Sequence, residues 1–599
     1  MIYHCEDHTC NYWDEGEKLP ERCPQCGRKL LRANEADMTG DDWTALGNTL
    51  WYAEASDKKR MVDCFRKAAY LGSAWGVCNL GICMEQGNGV EADPVQAFWL
   101  YQQAVEMGSL NAVCCLGVCY QYGIGTAPDA EKAAELYCKA AEYGSPRGQM
   151  LLARAFHDGI GVEADAAEAV HWVRAAAYQR YGEGMHRLGV CYEYGDGVEQ
   201  NWEHAVHWFR EAAESGVSVA MTDLGYCYEK GCGVEQSWEQ AFSWYRRGAE
   251  CGYPVSMSNL GRGYERGYGV EQNWEEAVKW YEQGAQCGHL QSMNNLACCY
   301  EGGEGVEQNE ERALYWYRRS AEGGNGVAMC NLGWCYQRGY GVEQNEDRAL
   351  YWYRRGAEAG SDYCMYCLGW NYSNGEGVEQ NMTEAIRWYT AAAEGGNADA
   401  MHNLGWHYDH GEGVEQDMKK AICWYERAAE QNHPAAMNSL GECYAMGRGV
   451  PRDLETAMEW YRRAAELGEA MADYNMGWHL EQAGKLSEAY AHYRKAADGN
   501  DDSAWWALGR FYENGVVVAQ DGKEARRCYE TGEKLGSVKC KMRLARCKLL
   551  GIGGRREKKA GLDLCRQALE LAKESSEKED YGYEAEMNLL RRTIAENES

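Results

Sequence analysis

The stretch that decides the fold is GVAMCNLGWCYQRGYGVEQNEDRALYWYRRGAEAGS, residues 326–361. Ala328, Met329, Leu332, Gly333 and Tyr336 fall three or four apart and share one helical face. Gly339, Tyr340 and Gly341 then interrupt the helix, because glycine admits the positive φ of a helix C-terminus. Asn345 stands as an N-cap, with Glu346 and Asp347 in the first turn, where the helix dipole favours acids. Ala349, Trp352, Tyr353 and Ala357 form the apolar stripe of a second helix, and Gly360 ends it. The small residue of the Leu-Gly pair brings two helices close, and the spacing predicts that the tryptophan fills the space beside it.

This unit recurs from about residue 74 to about residue 573. The small residue of the Leu-Gly pair falls at Gly81, Gly117, Ala153, Gly189, Gly225, Gly261, Ala297, Gly333, Gly369, Gly405, Gly441 and Gly477, a step of 36 each time. Tryptophan holds one place in nine successive units: Trp172, Trp208, Trp244, Trp280, Trp316, Trp352, Trp388, Trp424 and Trp460. A period in the thirties with two helical patterns per unit marks an all-α helical solenoid.

The repeated pattern A-x-x-x-L-G-x-x-Y-x-x-G-x-G-V-x-x-(N/D)-x-x-x-A-x-x-W-Y-x-x-A-A-x-x-G resembles the Sel-1-like repeat, a relative of the tetratricopeptide repeat. It covers more than four fifths of the chain in about fourteen units. The resemblance implies a right-handed α/α superhelix of helix-turn-helix repeats that serves as an interaction scaffold, with the first helix of each unit lining the concave surface.

The chain carries 61 basic and 92 acidic residues, a net charge of −31. That balance argues against nucleic-acid and anionic-membrane partners, which need clustered positive charge. Much of the acid sits in a recurring Val-Glu-Gln loop, as at Glu199, Glu235 and Glu271, read as a solvated surface. No apolar run reaches the roughly 18 residues of a membrane helix. The start, MIYHCEDHTC, has no basic segment followed by an apolar core, so no signal peptide is expected and the expected compartment is the cytoplasm. Of 28 cysteines, eight stand two residues after the Leu-Gly position: Cys83, Cys119, Cys191, Cys227, Cys299, Cys335, Cys443 and Cys547. No second position supplies a regular mate, so these read as small buried free thiols.

Residues 1–34 lie outside the repeat. Cys23-Pro-Gln-Cys26-Gly27 sets two thiolates across a tight turn, and Cys5 with Cys10 makes a looser pair, with four residues inside it where two is commoner. Four thiolates in two pairs match a closed tetrahedral Zn2+ site, and His8 is an alternative ligand to Cys5. The segment resembles a zinc ribbon, a structural metal module whose folding energy the metal supplies. Residues 35–73 read as a linker and a degenerate first repeat, where Ala45, Leu46 and Gly47 match the first helix and Phe65 and Ala69 the second. Residues 74–573 are the repeat solenoid, and 574–599 a C-terminal capping helix. One unit is shortened: Gly477 to Gly509 is 32, with a turn at Ala483-Gly484-Lys485.

Function is sought on the face of the first helix opposite the core. The residue after the Leu-Gly pair is Val190, Tyr226, Arg262, Cys298, Trp334, Trp370, Trp406, Glu442 and Trp478 in successive units. Three residues on come Glu193, Glu229, Glu265, Glu301, Gln337, Ser373, Asp409 and Glu481. An aromatic row beside a row of acids suits an extended or helical peptide bearing Lys or Arg and apolar anchors. The candidate contacts are Tyr226, Trp334, Trp370, Trp406, Trp478, Glu265, Glu301 and Asp409. Residues 523–559 reverse the charge, with thirteen Lys or Arg against four Glu, which offers a contact for an acidic partner or for a second copy of the chain.

No catalytic motif is found: no phosphate loop followed by Lys-Ser/Thr, no His-Glu-x-x-His and no Gly-x-Ser-x-Gly. The expectation is a non-enzymatic scaffold. The alternative is a metal-dependent hydrolase or redox protein using His402, His407 and His410, or the N-terminal cysteines. His407 and His410 are one turn apart, and His402, Trp406 and His410 are placed as one stripe on the open face.

Overall fold

The computed structural model describes residues 2–5, 13–15, 30–32, 35–51, 55–578 and 584–598. Cys10, Cys23, Cys26 and His8 of the expected zinc module lie outside the described residues. Thirty-one α-helices are found among those described, most of them 13 residues long. The chain divides into two compact units, Met1–Gln308 and Asn309–Ser599, each a stack of consecutive helix pairs.

The first unit opens on a small antiparallel sheet of β1 (Ile2–Cys5), β2 (Trp13–Glu15) and β3 (Leu30–Arg32), ordered β2-β1-β3. Cys5 pairs with Leu30 across β1 and β3. Helices Gly40–Thr49 and Ala55–Tyr70 follow as a first pair. Helix pairs then continue to Leu290–Gly302. The second unit runs from Glu310–Glu322 to Glu584–Glu598.

Residues 326–361 show why each pair forms. Helix Gly326–Arg338 is capped by Asn325, whose side chain accepts from the Ala328 N–H at 2.8 Å. It closes on Gly339 at φ 72°. The second glycine of the turn, at φ 63°, is needed for a further reason: a Cβ on Gly341 would stand 2.8 Å from the Glu310 carbonyl oxygen of the preceding second helix. Asn345 then caps Glu346–Glu358, accepting from the Arg348 N–H at 2.9 Å.

The glutamine of the Val-Glu-Gln loop is structural. Gln200, Gln236, Gln272, Gln380 and Gln416 each donate through Nε2 to the backbone carbonyl seven residues back, in the last turn of the first helix. That bond satisfies one of the carbonyls a helix end leaves without a partner.

The space beside the Leu-Gly position is filled by tyrosine rather than tryptophan. A Cβ on Gly333 would stand 2.5 Å from Tyr353 Cε1. The same ring meets Gly81 (Tyr101), Gly117 (Tyr137), Gly261 (Tyr281) and Gly441 (Tyr461). The residue before it points elsewhere because successive side chains on a helix lie about 100° apart. Arg247, Arg427 and Arg463 stack on that tryptophan in their units, 4.2, 4.3 and 4.5 Å from the ring centroids of Trp244, Trp424 and Trp460.

All eight cysteines after the Leu-Gly position are buried. One disulfide is present among the described residues, Cys330–Cys364, at two other positions. It joins helix Gly326–Arg338 to helix Asp362–Asn374 in the second unit.

Candidate functional site on the first-helix face

Each buried tyrosine ends in a hydroxyl that burial would leave without water. In most units the chain supplies an acceptor 16 residues earlier, on the first helix of the same pair. Tyr101 donates to Glu85 at 2.6 Å, Tyr137 to Gln121 at 2.7 Å, Tyr245 to Glu229 at 2.9 Å, Tyr281 to Glu265 at 2.7 Å and Tyr529 to Glu513 at 2.8 Å. In the shortened unit the same bond survives at a separation of 12, from Tyr493 to Glu481.

The expected acidic row is therefore largely committed to the fold. Glu265 holds Tyr281 and lies 3.4 Å from Arg266. Glu229 is 4% exposed and takes both Tyr245 and the Arg262 guanidinium at 2.7 Å. Asp409 is also 4% exposed and pairs with Arg448 at 3.2 Å, so it does not stand on the open face. Glu301 is half-buried at the matching position. Carboxylates this close to a buried hydroxyl lower its free energy more by accepting that bond than by facing water.

The aromatic row is placed differently. Tyr226 and Trp370 are 44% exposed, Trp334 39% and Trp478 38%. Trp406 is half-buried, with the His410 ring stacked on it at 4.3 Å between centroids. Tyr226 belongs to the first unit and the four tryptophans to the second.

Two of these rings share one cavity. Trp370 and Trp406, on helices Asp362–Asn374 and Ala398–His410, wall a cavity of about 420 Å³ together with Ser373, Met382, Tyr389, His402, Asn403 and Glu412. Its origin is legible in the register. Ser373 stands 16 residues before Tyr389, where most other units carry Glu or Gln; His157, Asp409 and Ala445 are further exceptions. The shorter side chain leaves room that a glutamate would fill, and its hydroxyl turns to Met382 Sδ at 3.7 Å. Asn403 and Glu412 were not among the residues singled out from the sequence, and Ser373 was named there only as a member of the first-helix face row. The break in the 16-residue register was the signal that would have found them.

His402 and His407 both line this cavity, and each of the three histidines has its own partner. His407 is 3% exposed, packs on the Tyr389 ring and donates through Nδ1 to the Glu412 carbonyl at 3.1 Å. His410 donates to the Trp406 carbonyl at 2.9 Å. His402 stacks on His433 at 5.1 Å between centroids, and His433 in turn lies 3.1 Å from Asp399. Burial, with His433 beside it, pulls the His402 pKa down to about 4. Among the described residues, no group of three His, Cys, Asp or Glu side chains is arranged to hold a metal.

The basic stretch 523–559 is partly neutralised within the fold. Arg526 pairs with Glu530 and Glu557, and Arg543 with Glu513 and Glu586. Arg546 also pairs with Glu513. No described helix is long and apolar enough to cross a membrane.

Stacked helix-turn-helix modules, most of them locked by a tyrosine against a glycine, define a TPR-like helical repeat protein. The chain belongs to the Sel1 repeat family, whose model matches fourteen segments spanning residues 76–573. Among solved structures it is similar to c5321, described as a protective antigen present in uropathogenic Escherichia coli strains displaying an SLR fold. Identity is 32%, covering 75% of this chain and 97% of that one, with a TM-score of 0.49. It is also similar to a Sel1 repeat protein from Oxalobacter formigenes, at 32% identity over 41% of this chain and 96% of that one, with a TM-score of 0.38. No curated protein matches its sequence.

Proposed function

We propose that the chain is a non-catalytic scaffold that holds a segment of a partner protein on the first-helix face of the second unit. The anchor is a Lys or Arg side chain of the partner, entering between Trp370 and Trp406. One observation carries this reading: two indoles from successive repeats line a single cavity that also contains Glu412. A cation between aromatic faces gains from both quadrupoles, and a carboxylate nearby completes its solvation. Sel1 and TPR-like solenoids commonly serve protein–protein interaction, which agrees with this reading.

The test is an array of peptides with a central Lys or Arg flanked by apolar residues, probed with the whole chain. Trp370→Ala with Trp406→Ala should weaken the best peptide about tenfold or more, since cation–π contacts are worth about 1–2 kcal/mol when desolvated. Glu412→Gln should weaken it less. A folded double variant that keeps wild-type affinity would end the proposal.

The N-terminal module is proposed to hold one structural Zn2+ through Cys5, Cys10, Cys23 and Cys26. The register supports it, because Cys5 pairs with Leu30 at the start of the strand that follows Cys26. Elemental analysis should find one zinc per chain, lost in Cys23→Ser with Cys26→Ser.

A further inference from the structure

The tyrosine that locks most pairs gives way to a small side chain at Cys565 in the last repeat and, inside the array, at Val173. Position 173, in register with Tyr137 and Tyr245, is valine, and position 209 keeps a ring as Phe209. The Leu-Gly residue opposite is Ala153. A cavity of about 410 Å³ lies where the ring would otherwise stand, with Ala153, Val170, Val173 and Cys191 as its buried apolar floor.

The polar end of that space is also built. His157 stands 16 residues before Val173, the place from which Glu85, Gln121 and Glu229 receive a tyrosine hydroxyl. Its Nδ1 lies 2.7 Å from Asp158 and its Nε2 3.2 Å from Asp196. Arg187, 3.7 Å from Asp196, lines the same cavity. Both donors and acceptors therefore stand where a hydroxyl would arrive.

We propose that this cavity binds a phenol, a single aromatic ring with a para hydroxyl, supplied from outside the chain in the place of the missing tyrosine. The ring meets the apolar floor and Ala153, and the hydroxyl meets the His157–Asp196 pair. The source is either a tyrosine side chain of a partner protein or a free small phenol.

The test titrates the full chain with p-cresol by calorimetry. Saturable binding at one site is expected, weaker for toluene, which lacks the hydroxyl. Val173→Tyr should abolish it, because the chain then fills its own cavity as its neighbours do. If that variant loses its helical circular dichroism, Val173→Phe serves the same purpose. A shift of the Met150 methyl resonance on adding p-cresol places the ligand in this cavity, which Met150 also lines. A pentapeptide with a central tyrosine separates the sources: binding by it points to a partner's side chain, and binding by p-cresol alone points to a free phenol. No saturable uptake of p-cresol, or uptake unchanged in a folded Val173→Tyr chain, would overturn the proposal.

Discussion

His402 carries a titration that stability measurements can read. In the folded chain its pKa is about 4, against an ordinary value of 6.5, because burial and His433 disfavour the charged ring. The unfolded chain therefore takes up this proton first as pH falls. Stability from this group is full above about pH 6.5, declines as pH drops toward 4, and levels off below that. The loss should be on the order of 3 kcal/mol. Denaturant midpoints at pH 7, 5.5 and 4 would measure it, and His402→Phe should flatten that limb. Gly333 gives a second prediction. Its Cβ would press on Tyr353, so Gly333→Val should cost about 1–3 kcal/mol. Gly333→Ala should be nearly neutral, since the gain in helix propensity offsets a small shift of the ring and Ala297 holds the same position naturally. Thermal unfolding of both variants checks this.

At the scale of the element, caps and clamps set local stability. Asn345→Ala removes the bond to the Arg348 N–H and should cost about 1 kcal/mol. Amide exchange should quicken first in Glu346–Glu358. Tyr281→Phe should cost about 1 kcal/mol, because Phe209 shows that the ring alone packs, whereas Glu229→Ala should cost about 2–3 kcal/mol. That change strands the buried Tyr245 hydroxyl and removes the ion pair of the part-exposed Arg262 guanidinium. The helices, their caps and the turns were legible because glycine, asparagine and apolar spacing act within a few residues of chain. Which aromatic met Gly333 was not legible by spacing alone, since Trp352 and Tyr353 are adjacent and both large. Nor was the fate of the acids. Glu265 and Asp409 look solvent-facing by period, but their partners, Tyr281 and Arg448, lie 16 and 39 residues away. A pattern of charges does not reveal a bond across that distance. Trp334, Trp370 and Trp478 were legible as exposed because nothing on the period gave them a partner.

Across the whole chain, contacts pass between neighbours, so damage should remain local. Removing residues 558–599 uncovers Met542, Ala545 and Leu549, which pack on Cys565, Ala568, Met587 and Leu590. Exchange protection should then fall in Val538–Leu550 and its neighbour while earlier pairs keep theirs. Net charge enters here too. At −31, the chain should capture a Lys- or Arg-bearing peptide faster at low ionic strength, and stopped-flow rates should fall as salt rises.

The tyrosine-on-glycine lock has an evolutionary corollary. Because the lock closes each cassette of 36 residues within itself and the cassettes repeat one pattern, unequal recombination can add or delete a whole module without opening a mismatched seam. Such a gene is free to lengthen first and to diverge afterwards. Valine at 173 and serine at 373 are what such divergence looks like: exchanges in otherwise interchangeable parts, each leaving a hole where most of its siblings have a plug.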